Sequence, residues 1–379
     1  MVILERPYVS QLFLDYLAQK QIPVLSTPFS AAMGKGLNLV DAPSMRRIYD
    51  NHGRIYTTSE NALQWIYDYL PNSSLIRAIN IMKDKAAMRR QLQTFYPQYF
   101  FKEIAASELR ALDISRLPLP LVLKPAVGFF SLGVYTINNP QDWSRALDEI
   151  EHNLSAQTAQ FPDSVVNHTS FLLEEYIIGQ EFAVDMYYNQ AGQPVILNIM
   201  QHRFASADDV RDRLYVTSRE IIDKHLPVFQ AFFTGINQSL NIKNFPAHVE
   251  MRMRDGVLLP IEFNPMRFAG LCTTDIAWYA YGINTVDYYL NNRIPDFAEI
   301  MRPGKTYSMI IAEKPDAGLP AASFDYEKLG QSFQKVLEMR RLNAAELPAF
   351  AIVFTESGAE HLPELDAVLH ADFRDYLLV

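Results

Sequence analysis

Two short segments in the second half of the chain carry residue types that suit a magnesium site. Segments 248–252 and 261–264 alternate polar with apolar residues. This is the pattern of a β-strand that has one polar face and one apolar face. The first contributes Glu250 to its polar face, and the second contributes Glu262 and Asn264 to a shared face. Carboxylate and amide oxygens are ligands that Mg²⁺ accepts while it also holds phosphate groups.

The register of this hairpin decides whether the two glutamates can meet. A two-residue turn at 255–256 would pair Glu250 with Ile261 and send Glu262 to the other face. A three-residue loop at 255–257, with its glycine left-handed, instead sets Glu250 opposite Glu262, and we predict this loop. The alternative is an exposed amphipathic hairpin, although two facing glutamates repel each other without a cation.

A candidate phosphate site follows the apolar strand-like run that ends at Lys124. Gly128, Ser131 and Gly133 lie in the loop just beyond it. Small residues allow backbone N–H groups to converge on a phosphate, and a lysine supplies a compact positive charge. Taken alone, a purely structural turn explains this segment equally well.

In segment 174–182, one predicted strand ends at two carboxylates, Glu174 and Glu175. A second predicted strand begins after the one glycine of the segment. A chain that crosses between two subdomains here would offer backbone groups to an adenine edge and a carboxylate to ribose hydroxyls. The alternative is an acidic turn on a solvated surface, which is the favoured interpretation of the segment in isolation.

In their order and spacing, these segments resemble the ATP-grasp superfamily, and the resemblance runs from Lys85 to about Gly270. It implies an α/β fold made of α+β subdomains, the ATP-grasp fold, with ATP and Mg²⁺ as cofactors. The site residues implied by the resemblance fall into three groups. They are Lys85, Lys124, Gly128, Ser131 and Gly133 at the phosphates; Glu174, Glu175, Ile177 and Glu181 at adenine and ribose; and Glu250, Glu262 and Asn264 as magnesium ligands.

The arginine assignment departs from the family pattern. Many family ligases carry Glu-x-Asn-x-Arg, whereas Pro265 and Met266 intervene here and shift Arg267 by one position. We take Arg267 as the candidate catalytic residue that stabilises the acyl phosphate, and Arg252 as a second candidate.

The activity implied by the resemblance is an ADP-forming C–N ligation. The γ-phosphoryl group passes to a substrate carboxylate, and an amine then displaces phosphate to give an amide. Amino acids or small peptides are the expected carboxylate and amine substrates, and a homodimer is expected from the family. Two other functions fit the same residues: a catalytically silent ATP-binding regulatory or scaffold protein, and a phosphoryl-transfer enzyme that stops at the acyl phosphate.

Composition excludes several other classes of function. Hydrophobic residues make up 49% and charged residues 20% of the 379, as in ordinary globular proteins. A net charge of -9 provides no field that attracts nucleic acid, so we expect no such partner. No run reaches the roughly 18 apolar residues of a membrane span, and no signal peptide is recognisable, so a cytoplasmic protein without membrane contact is expected.

Motifs of other nucleotide or nucleophile chemistries are missing from the sequence. Gly304-Lys305-Thr306 looks like the end of a P-loop, but Glu299 stands where its first glycine belongs. No Gly-x-Ser-x-Gly motif occurs. The single cysteine, Cys272, excludes an internal disulfide and Cys-based zinc spacings.

Changes in periodicity predict the elements and domains that position these segments. Helices are predicted at 83–95, 142–154 and 219–241, and strands at 171–200 around a turn at 189–193 and at 247–264. The predicted domains are a small N-terminal α/β (pre-ATP-grasp) domain at 1–80, an ATP-grasp subdomain with the phosphate loop at 81–178, a second subdomain with the metal site at 179–300, and a small C-terminal α/β region at 301–379.

Overall fold

The computed structural model describes residues 1–127, 133–157, 167–206, 209, 211–316 and 319–378. The chain divides into two compact units. Unit 1 consists of Met1–Pro71 and Gly179–Val379, and unit 2 consists of Asn72–Ile178. The four-part division made from the sequence stays a prediction.

Sixteen strands lie within the described ranges. They are β1 Val2–Ile3, β2 Pro23–Leu25, β3 Asn38–Val40, β4 Tyr56–Thr57, β5 Phe101–Ala105, β6 Leu121–Val127, β7 Tyr135–Ile137, β8 Asn167–Glu175, β9 Gln180–Tyr188, β10 Pro194–Arg203, β11 Leu214–Ser218, β12 Phe245–Arg254, β13 Val257–Pro265, β14 Lys305–Glu313, β15 Val336–Arg341 and β16 Ala349–Gly358.

Thirteen α-helices lie within the same ranges. They are α1 Gln11–Gln19, α2 Pro28–Ala32, α3 Ala42–His52, α4 Leu63–Tyr69, α5 Ser74–Lys83, α6 Lys85–Leu92, α7 Pro140–Gln157, α8 Arg219–Leu240, α9 Ile276–Tyr281, α10 Thr285–Leu290, α11 Phe297–Ile300, α12 Tyr326–Gln331 and α13 Pro363–His370. Short 3-10 helices include Glu60–Ala62 and Gly270–Asp275. None of these helices is long and apolar enough to cross a membrane.

The N-terminal part of unit 1 forms a parallel sheet in the order β3-β2-β1-β4. Helix α1 begins after Ser10, whose hydroxyl accepts a hydrogen bond from Phe13 N and so caps the first turn. The apolar face of α1 packs on the sheet in a core that includes Leu17 and Val24. Short strands and helices therefore alternate in this region, as in an α/β unit.

The rest of unit 1 is built on an antiparallel sheet in the order β13-β12-β9-β10-β11-β14-β16-β15. Helix α8 covers β10 and buries Phe229 and Phe233. Strands β14, β15 and β16, from the last third of the chain, extend the sheet that also contains β12 and β13, which together form the candidate metal hairpin. Their apolar side chains, such as Ile310 and Val353, share one core with residues from α12 and α13.

Unit 2 contains an antiparallel sheet in the order β5-β8-β6-β7. Helix α7 packs on it through Trp143, Leu147 and Ile150. Helix α6 begins after Asp84, whose Oδ1 accepts hydrogen bonds from Ala86 N and Ala87 N. The predicted helix at 83–95 is thus split, because Asp84 ends α5 and caps α6.

Candidate active site

Two lysines predicted to hold phosphates are buried in unit 2. Lys85 is the first residue of α6, and Lys124 lies in the middle of β6. Each side chain places an ammonium group in an interior where charge is poorly solvated. Burial lowers the pKa of Lys124, and the positive charges of Arg89 and Lys85 lower it further. The negative charge of Glu174 acts in the opposite direction and raises it.

Glu174 is the anion at the centre of this buried group. Strands β6 and β8 pair Val122 with Glu174, which sets the Glu174 side chain on the same side as that of Lys124 two residues on. Glu174 Oε1 lies 2.6 Å from Lys124 Nζ, and Oε2 lies 2.5 Å from Arg89 Nε. Burial would raise the Glu174 pKa, but the charges and hydrogen bonds of Arg89 and Lys124 outweigh it and lower the pKa to about 2.

Arg89 is a site residue that the sequence analysis missed. Its guanidinium is almost fully buried and stacks 4.5 Å from the centre of the Tyr99 ring. The signal was present, because Arg89 follows Lys85 by four residues and therefore shares its helix face. Arg89 and Lys124 both contact Glu174, and the charge of Lys85 acts on Lys124, so three basic side chains lie in this part of unit 2. A cluster of basic side chains is compatible with an anionic ligand.

The residues predicted at the adenine have structural contacts of their own. Glu175 Oε2 accepts a hydrogen bond from Phe100 N over 3.3 Å, and the Glu175 backbone N–H donates to Phe100 O. Ile177 is buried, whereas Ile178 is 63% exposed. Adenine contacts of Glu174, Glu175 and Ile177 stay predictions.

The phosphate loop is described only at its end. Gly128 and Ser131 lie outside the described residues. Gly133 has a φ of 72°, and a Cβ at this position would come within 3.3 Å of Pro125 Cγ. Glycine is therefore favoured at the point where the loop returns to β7.

The candidate metal hairpin pairs Glu250 directly with Glu262, as predicted. The predicted three-residue loop is wrong. Arg254 pairs with Val257 across a two-residue turn at 255–256, in which both residues have positive φ. A bulge between the Glu250 and Met251 pairings leaves Ile261 without a partner and shifts the register by one.

The electrostatics of this hairpin suit a cation. Burial raises the pKa of Glu250 well above its ordinary value, and the negative charges of Glu262, Asp212 and Glu181 raise it further, while Arg267 opposes them. Among the described residues, no group of three or more His, Cys, Asp and Glu side chains is placed to hold a metal. The predicted donor set of two carboxylates with the Asn264 amide stays a prediction, and it is one that Mg²⁺ would complete with water or phosphate oxygens.

Arg267 lies beside Asn264 despite its one-residue shift in the sequence. Arg267 Nη2 donates to Asn264 Oδ1 over 2.7 Å, and Nη1 donates to Phe268 O over 3.1 Å. The intervening Met266 is left-handed, with a φ of 63°. Its backbone is held at both polar atoms, since Met266 N donates to Pro246 O and Met266 O accepts from Thr57 N.

Glu60 is a second partner of Arg267 that the sequence analysis missed. Its Oε1 lies 3.4 Å from Arg267 Nη2. Glu60 belongs to the 3-10 helix Glu60–Ala62, more than two hundred residues before Arg267. Nothing in the local sequence marks the residue, because Glu60 and Arg267 are distant in the sequence and meet only when unit 1 folds.

Glu181 and Arg252 are brought together by adjacent strands. Arg252 pairs with Glu181 across β12 and β9, and its Nε lies 2.8 Å from Glu181 Oε2. The other carboxylate oxygen, Oε1, lies 2.8 Å from His202 Nδ1. Burial would raise the Glu181 pKa, but His202 and Arg252 lower it overall. Sequence analysis missed His202, whose ring stacks on Tyr215 with centroids 4.1 Å apart.

The comparison with known families identifies the domain that carries these residues. Residues 117–275 match the ATP-grasp domain. No curated protein matches the sequence. The matched range contains Lys124, the candidate metal hairpin and Arg267.

Solved structures with the same fold cover the whole chain. L-amino acid ligase from Bacillus licheniformis has a TM-score of 0.70 at 18% identity, over 100% of this chain and 97% of that one. N5-carboxyaminoimidazole ribonucleotide synthetase from Thermotoga maritima has a TM-score of 0.65 at 14% identity. The match covers 99% of this chain and 98% of that one. Biotin carboxylase from Campylobacter jejuni has a TM-score of 0.62 at 11% identity. The match covers 100% of this chain and 91% of that one.

Residues 117–275 thus match an ATP-grasp domain, and the whole chain shares its fold with these structures. The fold class predicted from the sequence, the ATP-grasp fold, is confirmed.

Proposed function

We propose that the protein is an ATP-dependent, ADP-forming carboxylate–amine ligase that requires Mg²⁺. The observation that carries the proposal is the candidate metal hairpin, where Glu250 faces Glu262 and Asn264 contacts Arg267. Two facing carboxylates beside an arginine provide both a cation site and a fixed positive charge for a transferring phosphoryl group.

The residues of each unit have separate tasks in this proposal. In unit 1, Glu250, Glu262 and Asn264 would hold Mg²⁺, which when bound neutralises charge on the phosphates. In unit 2, the buried cations Lys85 and Lys124 supply positive charge for the nucleotide phosphates, with Arg89 beside them. Each set would act by charge and alignment, without a covalent nucleophile on the protein.

The proposed reaction has two steps. First, a substrate carboxylate oxygen attacks the γ-phosphorus of ATP, and the bond between that phosphorus and the ADP oxygen breaks. The amine nitrogen then attacks the acyl carbon, the bond to phosphate breaks, and the nitrogen loses a proton as the amide forms. Arg267 would stabilise the oxyanion that develops on the acyl carbon, because its guanidinium is held in place by Asn264 and Phe268.

We further propose amino acids or small peptides as the substrates. The support is the fold shared with L-amino acid ligase from Bacillus licheniformis over nearly the full length of both chains. Carboxylate recognition by a bidentate arginine is compatible with this class, and Arg267 and Arg252 are the candidates in unit 1.

The test is phosphate release from ATP and Mg²⁺ with a panel of single and paired amino acids. We expect release that requires two substrates and that Glu262→Gln abolishes. Glu346→Gln makes the same chemical change at an exposed position of unit 1 and should leave release unchanged. Tight ATP binding with no stimulation by any pair would contradict the ligase and favour a regulatory nucleotide-binding protein.

Hydroxylamine separates the ligase from an enzyme that stops after phosphoryl transfer. A single carboxylate substrate with hydroxylamine should give a hydroxamate in either case. Only a ligase gives an amide when the amine substrate replaces hydroxylamine. Hydroxamate without amide across the whole panel would contradict the second step of the proposal.

A further inference from the structure

Asp185 occupies the centre of a polar row that crosses the large sheet of unit 1. The strand pairings place Asn198 on β10, Asp185 on β9, His248 on β12 and Asn264 on β13 directly opposite one another. Directly paired residues share a face of the sheet. Asp185 has no exposed surface, so its carboxylate interacts only with other parts of the protein.

One oxygen of Asp185 joins two parts of the candidate active site. Asp185 Oδ1 accepts a hydrogen bond from His248 Nδ1 over 2.8 Å and another from Ala269 N over 2.9 Å. His248 is two residues before Glu250, and its Nε2 lies 3.9 Å from Glu250 Oε1. Ala269 is two residues after Arg267. The same atom therefore ties the strand with a candidate metal ligand to the segment with the candidate catalytic arginine.

The segment around Ala269 needs such a constraint. Met266, Leu271 and Cys272 all have left-handed φ angles, between 53° and 63°. Left-handed backbone is unfavourable for residues with a Cβ and persists only where surrounding contacts enforce it. The Asp185–Ala269 hydrogen bond lies between these positions and is fully buried, where a hydrogen bond to a carboxylate is strong.

The second oxygen of Asp185 argues against a role in stability alone. Within the described residues, Asp185 Oδ2 is buried without a hydrogen-bond partner, and so is Asn198 Nδ2 on the paired strand. A buried carboxylate with one incompletely satisfied oxygen costs folding free energy. Such a cost at a site that contacts the Arg267 segment is typical of residues kept for function.

We propose that Asp185 is a positioning residue that fixes Arg267 relative to the candidate metal hairpin by holding Ala269 N and His248 Nδ1 on one oxygen. The inference rests on the proposed ligase function. Asp185 does not contact substrate in this account, and its effect reaches the reaction through the placement of Arg267 and Glu250.

The test compares three substitutions at position 185 by kinetics and by hydrogen exchange of segment 266–275 in the full chain. Asp185→Ala removes both acceptors and should lower kcat by ~10–100-fold, as is usual for residues that orient a metal site. The KM for ATP should change little, because Lys85 and Lys124 belong to unit 2. Asp185→Asn keeps an oxygen acceptor and should recover most of kcat. Asp185→Leu keeps the side-chain volume without an acceptor and should behave like Asp185→Ala.

Hydrogen exchange provides the readout that does not depend on activity. The Ala269 amide should exchange faster in Asp185→Ala and Asp185→Leu than in the wild type, and Asp185→Asn should resemble the wild type. Ser308→Ala is the matched control, because it breaks the buried Ser308–Thr355 hydrogen bond between β14 and β16 of the same sheet. It should lower stability without changing kcat or the exchange of segment 266–275.

The outcomes separate this inference from the proposed function. If Asp185→Ala and Asp185→Leu match Ser308→Ala in kcat and in exchange of segment 266–275, Asp185 is not a positioning residue. If Glu262→Gln retains full ligation in the same assay, the proposed metal hairpin fails instead. Loss of activity in Glu262→Gln with unchanged activity in both acceptor-free variants would overturn only the role of Asp185.

Discussion

Arg267 Nη2 donates a hydrogen bond to Asn264 Oδ1 over 2.7 Å, so a candidate catalytic arginine and a candidate metal ligand are in direct contact. The extra residue between them is accommodated by the left-handed backbone of Met266. The one-residue departure from the usual family spacing therefore does not separate Arg267 from the metal hairpin. The contact also means that a change in either residue disturbs the other.

Arg267→Lys should impair catalysis more than nucleotide binding. A lysine cannot donate to Asn264 and to Phe268 O at once from a planar fork. We expect kcat to fall by ~10²-fold, the usual effect of removing a donor that stabilises an oxyanion. Steady-state kinetics with ATP and the stimulating substrates measures this, and Arg374→Lys at an exposed position of unit 1 serves as the control. Equal rates for the two variants would contradict the role of Arg267.

Glu174 should make the stability of unit 2 depend on pH in the acid range. Its folded pKa of about 2 lies below the ordinary value of 4.5, so its stabilisation is complete above pH 4.5 and is lost as the pH falls toward 2. The difference corresponds to about 3 kcal/mol of unfolding free energy. Urea unfolding at a series of pH values measures it.

Glu174→Gln should remove this acid dependence and destabilise the protein at neutral pH. The substitution leaves Arg89 and Lys124 buried without their carboxylate, which costs roughly 3–5 kcal/mol. Glu108→Gln, at an exposed position in the same unit, should retain the wild-type profile. An unchanged acid profile in Glu174→Gln would show that the buried ion pairs do not govern the transition.

Glu250→Gln should stabilise the protein while it abolishes activity. Without a cation, Glu250 faces Glu262 in a half-buried setting, so removal of one charge should raise the unfolding free energy by roughly 0.5–2 kcal/mol. Mg²⁺ with ATP should stabilise the wild type further but not the variant, because a ligand stabilises only the state that binds it. Denaturant unfolding with and without Mg-ATP tests both statements, and a variant that gains as much from Mg-ATP as Glu346→Gln would refute the metal assignment.

Gly179→Ala should be far more damaging than Gly256→Ala. Both glycines have positive φ, at 145° and 79°. A Cβ at Gly179 would lie 2.2 Å from Met253 O, whereas nothing lies within 4 Å of a Cβ at Gly256. Gly256→Ala should cost about 1–2 kcal/mol for its left-handed backbone. Gly179→Ala adds a backbone collision to that strain, and similar unfolding midpoints for the two variants would contradict the close approach.

Periodicity was a sufficient guide to the hairpin but not to its turn. The alternation in 248–252 and 261–264 predicts two strands, and the facing glutamates were predicted from a three-residue loop between them. Glu250 and Glu262 do pair. The bulge at Ile261 was not predictable from alternation, because an extra residue in one strand leaves the pattern on each side intact. The correct pairing was therefore reached through the wrong loop.

Contacts between distant segments were beyond the sequence analysis. Lys85 and Arg89 share a helix face, and that spacing could have revealed Arg89. Glu60, Asp185 and His202 have no such local signal, because their partners lie in other segments of the sequence and meet them only in the folded protein. Polar residues in buried strands become candidates only when the strand order is known.

The central claim is that ATP activates a substrate carboxylate by direct phosphoryl transfer. The most direct test uses a stimulating amino acid in which both carboxylate oxygens are ¹⁸O, with mass analysis of the released phosphate. The acyl-phosphate mechanism places one labelled oxygen in each phosphate, because the bridging oxygen leaves with phosphorus when the amine attacks the acyl carbon. Phosphate without label, released at the same rate as the amide forms, would contradict the account.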